Sequence, residues 1–273
     1  MTASSTKNSE ARIQAQRQWN TTPCGALPTD EEDKAFFDRV EADRYRQQYW
    51  QQKWMRYDRF AGKKVLEIGI GLGTDLKQFA RAGAECYGVD ITRRHLELTE
   101  KNFALEGFDV KLFEADATEL PFPDNTFDCI HSFGVLHHIP DVEHVLAEAL
   151  RVLKPGGIML NAVYHKYSIA AASLLVRAIM NGNLKRIGLD GVLATIESGA
   201  DGELIKPYVK LYSKGDWRST CEKAGFVTRR LTARQIYSQA FDLANRLHPL
   251  EGMFGWYVCG EFVRPTSPTD LVS

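Results

Sequence analysis

The chain has 273 residues, 44% of them hydrophobic and 25% charged, which is enough for one large α/β core with a modest cover. Thirty-four basic residues stand against 35 acidic ones, a formal net charge of −1, so no overall field draws a polyanion and nucleic acid is not an expected partner. The five cysteines (24, 86, 129, 221 and 259) are scattered and odd in number, which excludes a complete disulfide framework; a reduced, soluble, cytoplasmic protein is expected.

Residues 1–28 are rich in Ser, Thr, Gln and Asn and read as a flexible N-terminal arm, able to order over a ligand. The first eighteen lack the apolar stretch of a signal peptide. Thr29 and Glu32 have capping-box spacing and predict a helix running, with room for a break, to about Tyr57, so that 29–60 forms an N-terminal helical lid. Tyr45, Tyr49, Trp50, Trp54 and Tyr57 recur at helical intervals, which suits either packing on the domain edge or an aromatic cover over a ligand. Arg39, Arg44, Arg46, Lys53, Arg56 and Arg59 read as a solvated face, the alternative being steering of an anionic acceptor.

From Lys64 onward, short apolar runs alternate with amphipathic helices. Strands are predicted at 64–68, 85–89, 110–114, 127–132 and 157–163, and helices at 74–82, 93–106 and 142–153, the last capped by Asp141 and stopped at Lys154-Pro155-Gly156-Gly157. Two more strands follow at 226–231 and 256–262. The alternation predicts an α/β fold with a mostly parallel sheet covered by helices on both faces, and a helical insertion at about 168–211 after strand five. The main domain spans 61–265 and a tail 266–273. The insertion's segment 169–180 is nearly apolar all round, which fits buried core, an acceptor-pocket wall or a subunit interface. It is shorter than the ~20 residues of a bilayer span, so no membrane span is expected.

The most informative stretch is Glu67-Ile68-Gly69-Ile70-Gly71-Leu72-Gly73-Thr74-Asp75. Glycines let a ligand approach the backbone, but a dinucleotide fingerprint would need glycine where Thr74 stands. Asp90, 21 residues beyond Gly69, sits where nucleoside-binding α/β folds place a carboxylate on ribose hydroxyls. Asp116-Ala117 follows the third strand. Leu120-Pro121-Phe122-Pro123-Asp124, Gly134-Val135-Leu136-His137-His138-Ile139 and Leu153-Lys154-Pro155-Gly156-Gly157 complete the pattern.

Over residues 60–165 this closely resembles the class I S-adenosylmethionine (SAM)-dependent methyltransferases, above all the ubiquinone/menaquinone-biosynthesis-like group. The resemblance implies a Rossmann-like seven-stranded sheet, SAM as cofactor and S-adenosylhomocysteine (SAH) as product. It also implies that Glu67 lies near the methionine amino end and that Asp116 and Ala117 face adenine. Gly69, Gly71, Gly73, Asp90, Ile91 and Phe133 complete the expected cofactor-binding set. His137, His138 and His165 are candidate bases, with Tyr164 as a positioning group, while His131 inside strand four reads as structural. The loop after strand four lacks the Asn/Asp-Pro-Pro-aromatic run of base and glutamine-amide methyltransferases. No metal-ligand spacing is visible, so no metal is expected. A small-molecule acceptor, hydrophobic or quinone- or natural-product-like, leads; the rivals are a non-catalytic SAM-binding subunit and a nicotinamide-dependent oxidoreductase. Oligomeric state is open, a homodimer included.

Overall fold

The computed structural model describes residues 3–21, 32–198, 207–236 and 250–267. Helix α1 (Ala3–Thr21) stands where composition suggested an irregular arm. Ala, Glu, Lys, Arg and Gln supply its helix propensity, but no apolar stripe announces it, so periodicity misses it. The expected capping box also shifts. Thr29 lies outside the described residues, and α2 (Lys34–Gln47) is capped by Asp33, which accepts from the Phe36 N–H at 2.8 Å. Glu32 instead pairs with Arg94 and Lys101. After α3 (Gln51–Met55) and a 3-10 turn at Tyr57–Phe60, the chain enters the sheet.

Seven strands form one sheet: β1 (Lys64–Ile68), β2 (Glu85–Asp90), β3 (Lys111–Glu114), β4 (Phe127–Phe133), β5 (Leu153–Tyr164), β6 (Val227–Arg234) and β7 (Tyr257–Val263). Their order is β3-β2-β1-β4-β5-β7-β6, parallel throughout except for β7, which runs antiparallel to both neighbours. Crossovers α4 (Thr74–Arg81), α5 (Arg93–Ala104) and α6 (Val142–Val152), with a non-helical connection over 115–126 between β3 and β4, keep the first five strands parallel. β5 starts at Leu153, four residues before the predicted Gly157, and the register with β4 shifts between Phe127 and Cys129 to absorb the extra turn. The insertion contributes α7 (Ile169–Met180) and α8 (Asn183–Ser198), the latter kinked at Gly188. α9 (Lys214–Lys223) and the short α10 (Glu251–Phe254) precede β6 and β7 respectively.

Alternation along the strands divides the core. Leu66 and Ile68 pack with Phe127, Ile130, Trp217 and Phe262, while Val65 packs on the opposite face with Cys129, Leu76, Phe79 and Phe60. Trp50, Trp54 and Tyr57 join this second cluster with Tyr49 packed against it, which suits packing on the domain edge. Of the three readings of the 169–180 segment, buried core does not hold. Among its residues only Ala171 and Ala178 are buried, and Ile179 and Met180 stand 62% and 82% exposed, so its outer face is left open among the described residues. No helix among the described residues is long and apolar enough to cross a membrane.

Candidate active site

The carboxyl ends of β1, β2, β4 and β5 open into a cavity of about 730 Å³, within the ~300–1,000 Å³ usual for small-molecule sites. Of the residues expected to bind cofactor, Glu67, Gly69, Gly71, Asp90, Ile91, Asp116, Ala117 and Phe133 line it. Gly73 does not. It caps α4 with a left-handed backbone, and a Cβ there would lie 2.6 Å from Thr99 Cγ2. Gly71 is different: at φ +53° it borders the cavity, and a Cβ would meet nothing within 4 Å, so the missing side chain leaves room for a ligand against the backbone. Asp90 ends β2 with its carboxylate held by the Thr92 N–H at 2.9 Å and facing His95 Nδ1 at 3.1 Å. Asp116 accepts from Thr118 through both N–H and hydroxyl, and its second oxygen meets Arg12 of α1 at 3.3 Å.

Beneath the glycine turn lies a buried charged cluster that the sequence reading missed. Glu67 and His131 are register partners on β1 and β4, and His131 Nδ1 lies 3.0 Å from Glu67 Oε1. Burial pushes the Glu67 pKa up, partly opposed by His131. Its second oxygen, Oε2, is buried with no hydrogen-bond partner among the described residues. Asp75, in the first turn of α4, takes Arg44 at 2.5 Å, Gln51 at 2.7 Å and the Tyr45 hydroxyl at 2.9 Å. Burial alone would raise the Asp75 pKa, but the Arg44 charge outweighs it and holds the carboxyl below its ordinary value. Arg44, expected on a solvated face, therefore ties α2 to the site and stacks over Phe133 at 4.3 Å. Asp75 was legible as an acidic residue in the turn after the glycines; Arg44 carried no signal that distinguished it from its basic neighbours.

The far wall of the cavity carries the acid-base groups. His138 lines it, with Tyr164 at the end of β5 and Glu197 from α8. His138 Nδ1 lies 2.8 Å from the Tyr208 carbonyl oxygen, a contact in which the ring donates. Nε2 lies 3.5 Å from Glu197 Oε1, which also accepts from the Tyr164 hydroxyl at 2.6 Å. The Glu197 pKa is low: burial would raise it, but the His138 and Tyr164 contacts prevail. His137 does not line the cavity. It is fully buried, stacks on Tyr164 at 3.8 Å, and burial with His138 nearby pushes its pKa well down. His165 faces away. Its Nδ1 meets the Gly255 carbonyl oxygen at 3.0 Å, burial lowers its pKa, and it takes no part in the cavity wall. Trp19 of α1 reaches His138 at 6.1 Å, so α1 closes over both halves of the cavity.

A sheet of this order, opened by a glycine turn with acidic residues at the ends of β1, β2 and β3, defines the Rossmann-like methyltransferase class. Residues 66–161 match the family described as a methyltransferase domain, and over that stretch the chain resembles the SAM-dependent methyltransferases. The chain is similar to the 27-O-demethylrifamycin SV methyltransferase of Amycolatopsis mediterranei (strain S699), 32% identical over 171 residues covering 60% of this chain and 62% of that protein. It is also similar to the demethylmenaquinone methyltransferase of Thermobifida fusca (strain YX), 37% identical over 136 residues covering 45% and 57%. The match therefore spans less than two thirds of these curated relatives. A SAM-dependent methyltransferase structure from Mesorhizobium loti shares the fold, with a TM-score of 0.56 at 16% identity over 75% of this chain and 92% of that one.

The residues present fit SAM. The unpartnered Glu67 Oε2 offers an acceptor for an ammonium group, Asp90 stands at the position of ribose recognition, and Gly71 leaves the backbone bare between them.

Proposed function

We propose that this chain transfers the methyl group of SAM to a small, largely apolar acceptor whose attacking atom is a hydroxyl or an acidic carbon. The carrying observation is that one cavity runs from Gly71 and Asp90 to the polar wall of His138, Glu197 and Tyr164. Bound SAM supplies an electrophilic methyl carbon on a sulfonium. Asp90, Glu67 and the glycine turn hold the cofactor, Phe133, Ile139 and Tyr257 give the cavity apolar surface, and α1 and α2 contribute to its wall. His138 and Glu197 handle the acceptor's proton, a requirement that only hydroxyl or carbon acceptors impose. The rifamycin- and menaquinone-modifying relatives support an acceptor of this kind.

The test is incubation of the full chain with methyl-labelled SAM and a panel of apolar phenols, quinols and hydroxylated macrolactones. Label should pass into an organic-extractable product, and His138→Ala should lose transfer while still binding SAH by calorimetry. Absence of any heat of binding with SAM or SAH would overturn the reading. Cofactor binding without transfer to any acceptor would favour a non-catalytic SAM-binding subunit.

A further inference from the structure

We propose that His137, His138 and Glu197 form a binding site for a divalent first-row transition cation, of which Zn2+ is the natural probe, at the acceptor end of the cavity. The donor atoms of these three side chains all lie within 4.8 Å of one another. Two imidazoles and one carboxylate are a donor set that zinc and neighbouring ions accept, and one that leaves a coordination position open. Mg2+ and Ca2+, which prefer all-oxygen shells, suit it poorly.

Three independent features point the same way. First, His138 Nε2 and Glu197 Oε1 are 3.5 Å apart. That is long for a charge-assisted hydrogen bond, but with metal–ligand bonds of about 2.0–2.2 Å two ligands of one tetrahedral ion stand roughly 3.3 Å apart. Second, both groups are oriented from behind, as metal ligands usually are. His138 turns its other ring nitrogen to the Tyr208 carbonyl, which leaves Nε2 available, and Glu197 is fixed by the Tyr164 hydroxyl. Third, His137 is fully buried, and neither of its ring nitrogens has a hydrogen-bond partner among the described residues. A polar side chain that has left water without compensation is costly, and a cation beside it would supply the missing interaction.

The second buried cluster of this type, Glu67 with Asp75 and His131, is a poorer candidate because the Arg44 guanidinium already neutralises Asp75. The open position of the proposed site faces the cavity through His138 and Glu197. An acceptor oxygen bound there would be held at the wall where the proposed transfer needs it. The inference rests on that reading and deepens it: a cation held by these groups would polarise the acceptor oxygen, so that its proton leaves more readily at the same wall.

The experiment is calorimetric titration of Zn2+ into the full chain after chelator treatment, without SAM, together with visible spectroscopy of the Co2+ form. One tight equivalent is expected, with d–d absorption of a low-coordinate nitrogen and oxygen site. Glu197→Gln, isosteric and checked by circular dichroism and cooperative thermal unfolding, should weaken Zn2+ binding at least tenfold. So should His138→Ala. No stoichiometric binding, or stoichiometric binding that Glu197→Gln leaves unchanged, would overturn the site. SAH titration of the same wild-type preparation tests the methyltransferase reading separately, since cofactor binding at the glycine turn does not depend on these three side chains.

Discussion

A single added methyl group separates two roles within the glycine turn. Gly69 and Gly71 both have left-handed backbones, at φ +74° and φ +53°. An L-residue there costs roughly 1–2 kcal/mol. At Gly71 that strain is the whole cost to the fold, because the new Cβ meets nothing within 4 Å. At Gly69 the Cβ would come within 2.3 Å of Val135 Cγ2 and 2.8 Å of Cγ1, in the loop after β4. Overpacking of this kind adds a further ~1–3 kcal/mol. Gly71→Ala should therefore lower the melting temperature by only about 2–8 °C, against about 4–20 °C for Gly69→Ala, at ~2–4 °C per kcal/mol in a chain of this size. Binding should behave differently. The methyl group at residue 71 projects into the cavity beside Asp90, so SAH affinity in Gly71→Ala should fall at least about tenfold, or ~1.4 kcal/mol. Differential scanning fluorimetry and SAH calorimetry on both variants decide it. A Gly71→Ala protein that binds SAH as wild type does, or that melts as early as Gly69→Ala, would refute the assignment of open ligand space to residue 71.

Glu261 on β7 is buried among Arg59 at 3.1 Å, Arg230 at 3.1 Å and Arg229 at 3.5 Å. Burial raises its pKa but the three guanidinium groups, Arg59 foremost, hold it below the ordinary value, so its stabilisation is present above about pH 4.5 and lost as pH falls below that. Glu261→Gln should cost about 2 kcal/mol, discounted from the ~3–5 kcal/mol of a fully buried pair because the arginines are partly exposed, and should flatten the acid side of the melting-temperature profile. Burial also pushes up the pKa of Cys86, to about 12, and of Cys129, Cys221 and Cys259. In a Cys24→Ser background these thiols should resist a chromogenic thiol reagent at pH 8 and react only on unfolding; fast labelling of the native protein would contradict their packing. Asp90→Asn should reduce SAH affinity at least about tenfold through loss of the ribose acceptor, read by the same calorimetry.

What the sequence disclosed and what it hid divide along one physical line. The half of the cavity around the glycine turn is built from consecutive strand–loop–helix units, each carrying a cavity-lining residue at a strand end. Glu67, Gly69, Gly71, Asp90, Asp116 and Ala117 were therefore readable one motif at a time. His165 was misplaced by a single step of strand alternation: Tyr164 turns into the cavity and stacks on His137, so its neighbour must turn the other way, toward Gly255. That error was avoidable from the period of β5. Arg44 was not recoverable, since its partner Asp75 lies 31 residues away and nothing in α2 distinguishes a buried arginine from a solvated one.

The acceptor half is assembled almost wholly from such distant pairings. His138 is held by a carbonyl 70 residues further on, and the carboxylate opposite it arrives on a kinked helix of the insertion, where an acidic residue reads as surface. Local pattern can reveal only contacts between residues near in sequence or in regular register. The lining around the glycine turn is consequently written into the motifs, whereas the opposite wall is whatever α8 and the 207–212 segment bring against the end of β4. Exchanging residue 197 should therefore change acceptor handling while leaving the glycine turn intact. A Glu197→Gln protein with unchanged steady-state constants for every acceptor would show that the wall opposite SAM is not where specificity resides.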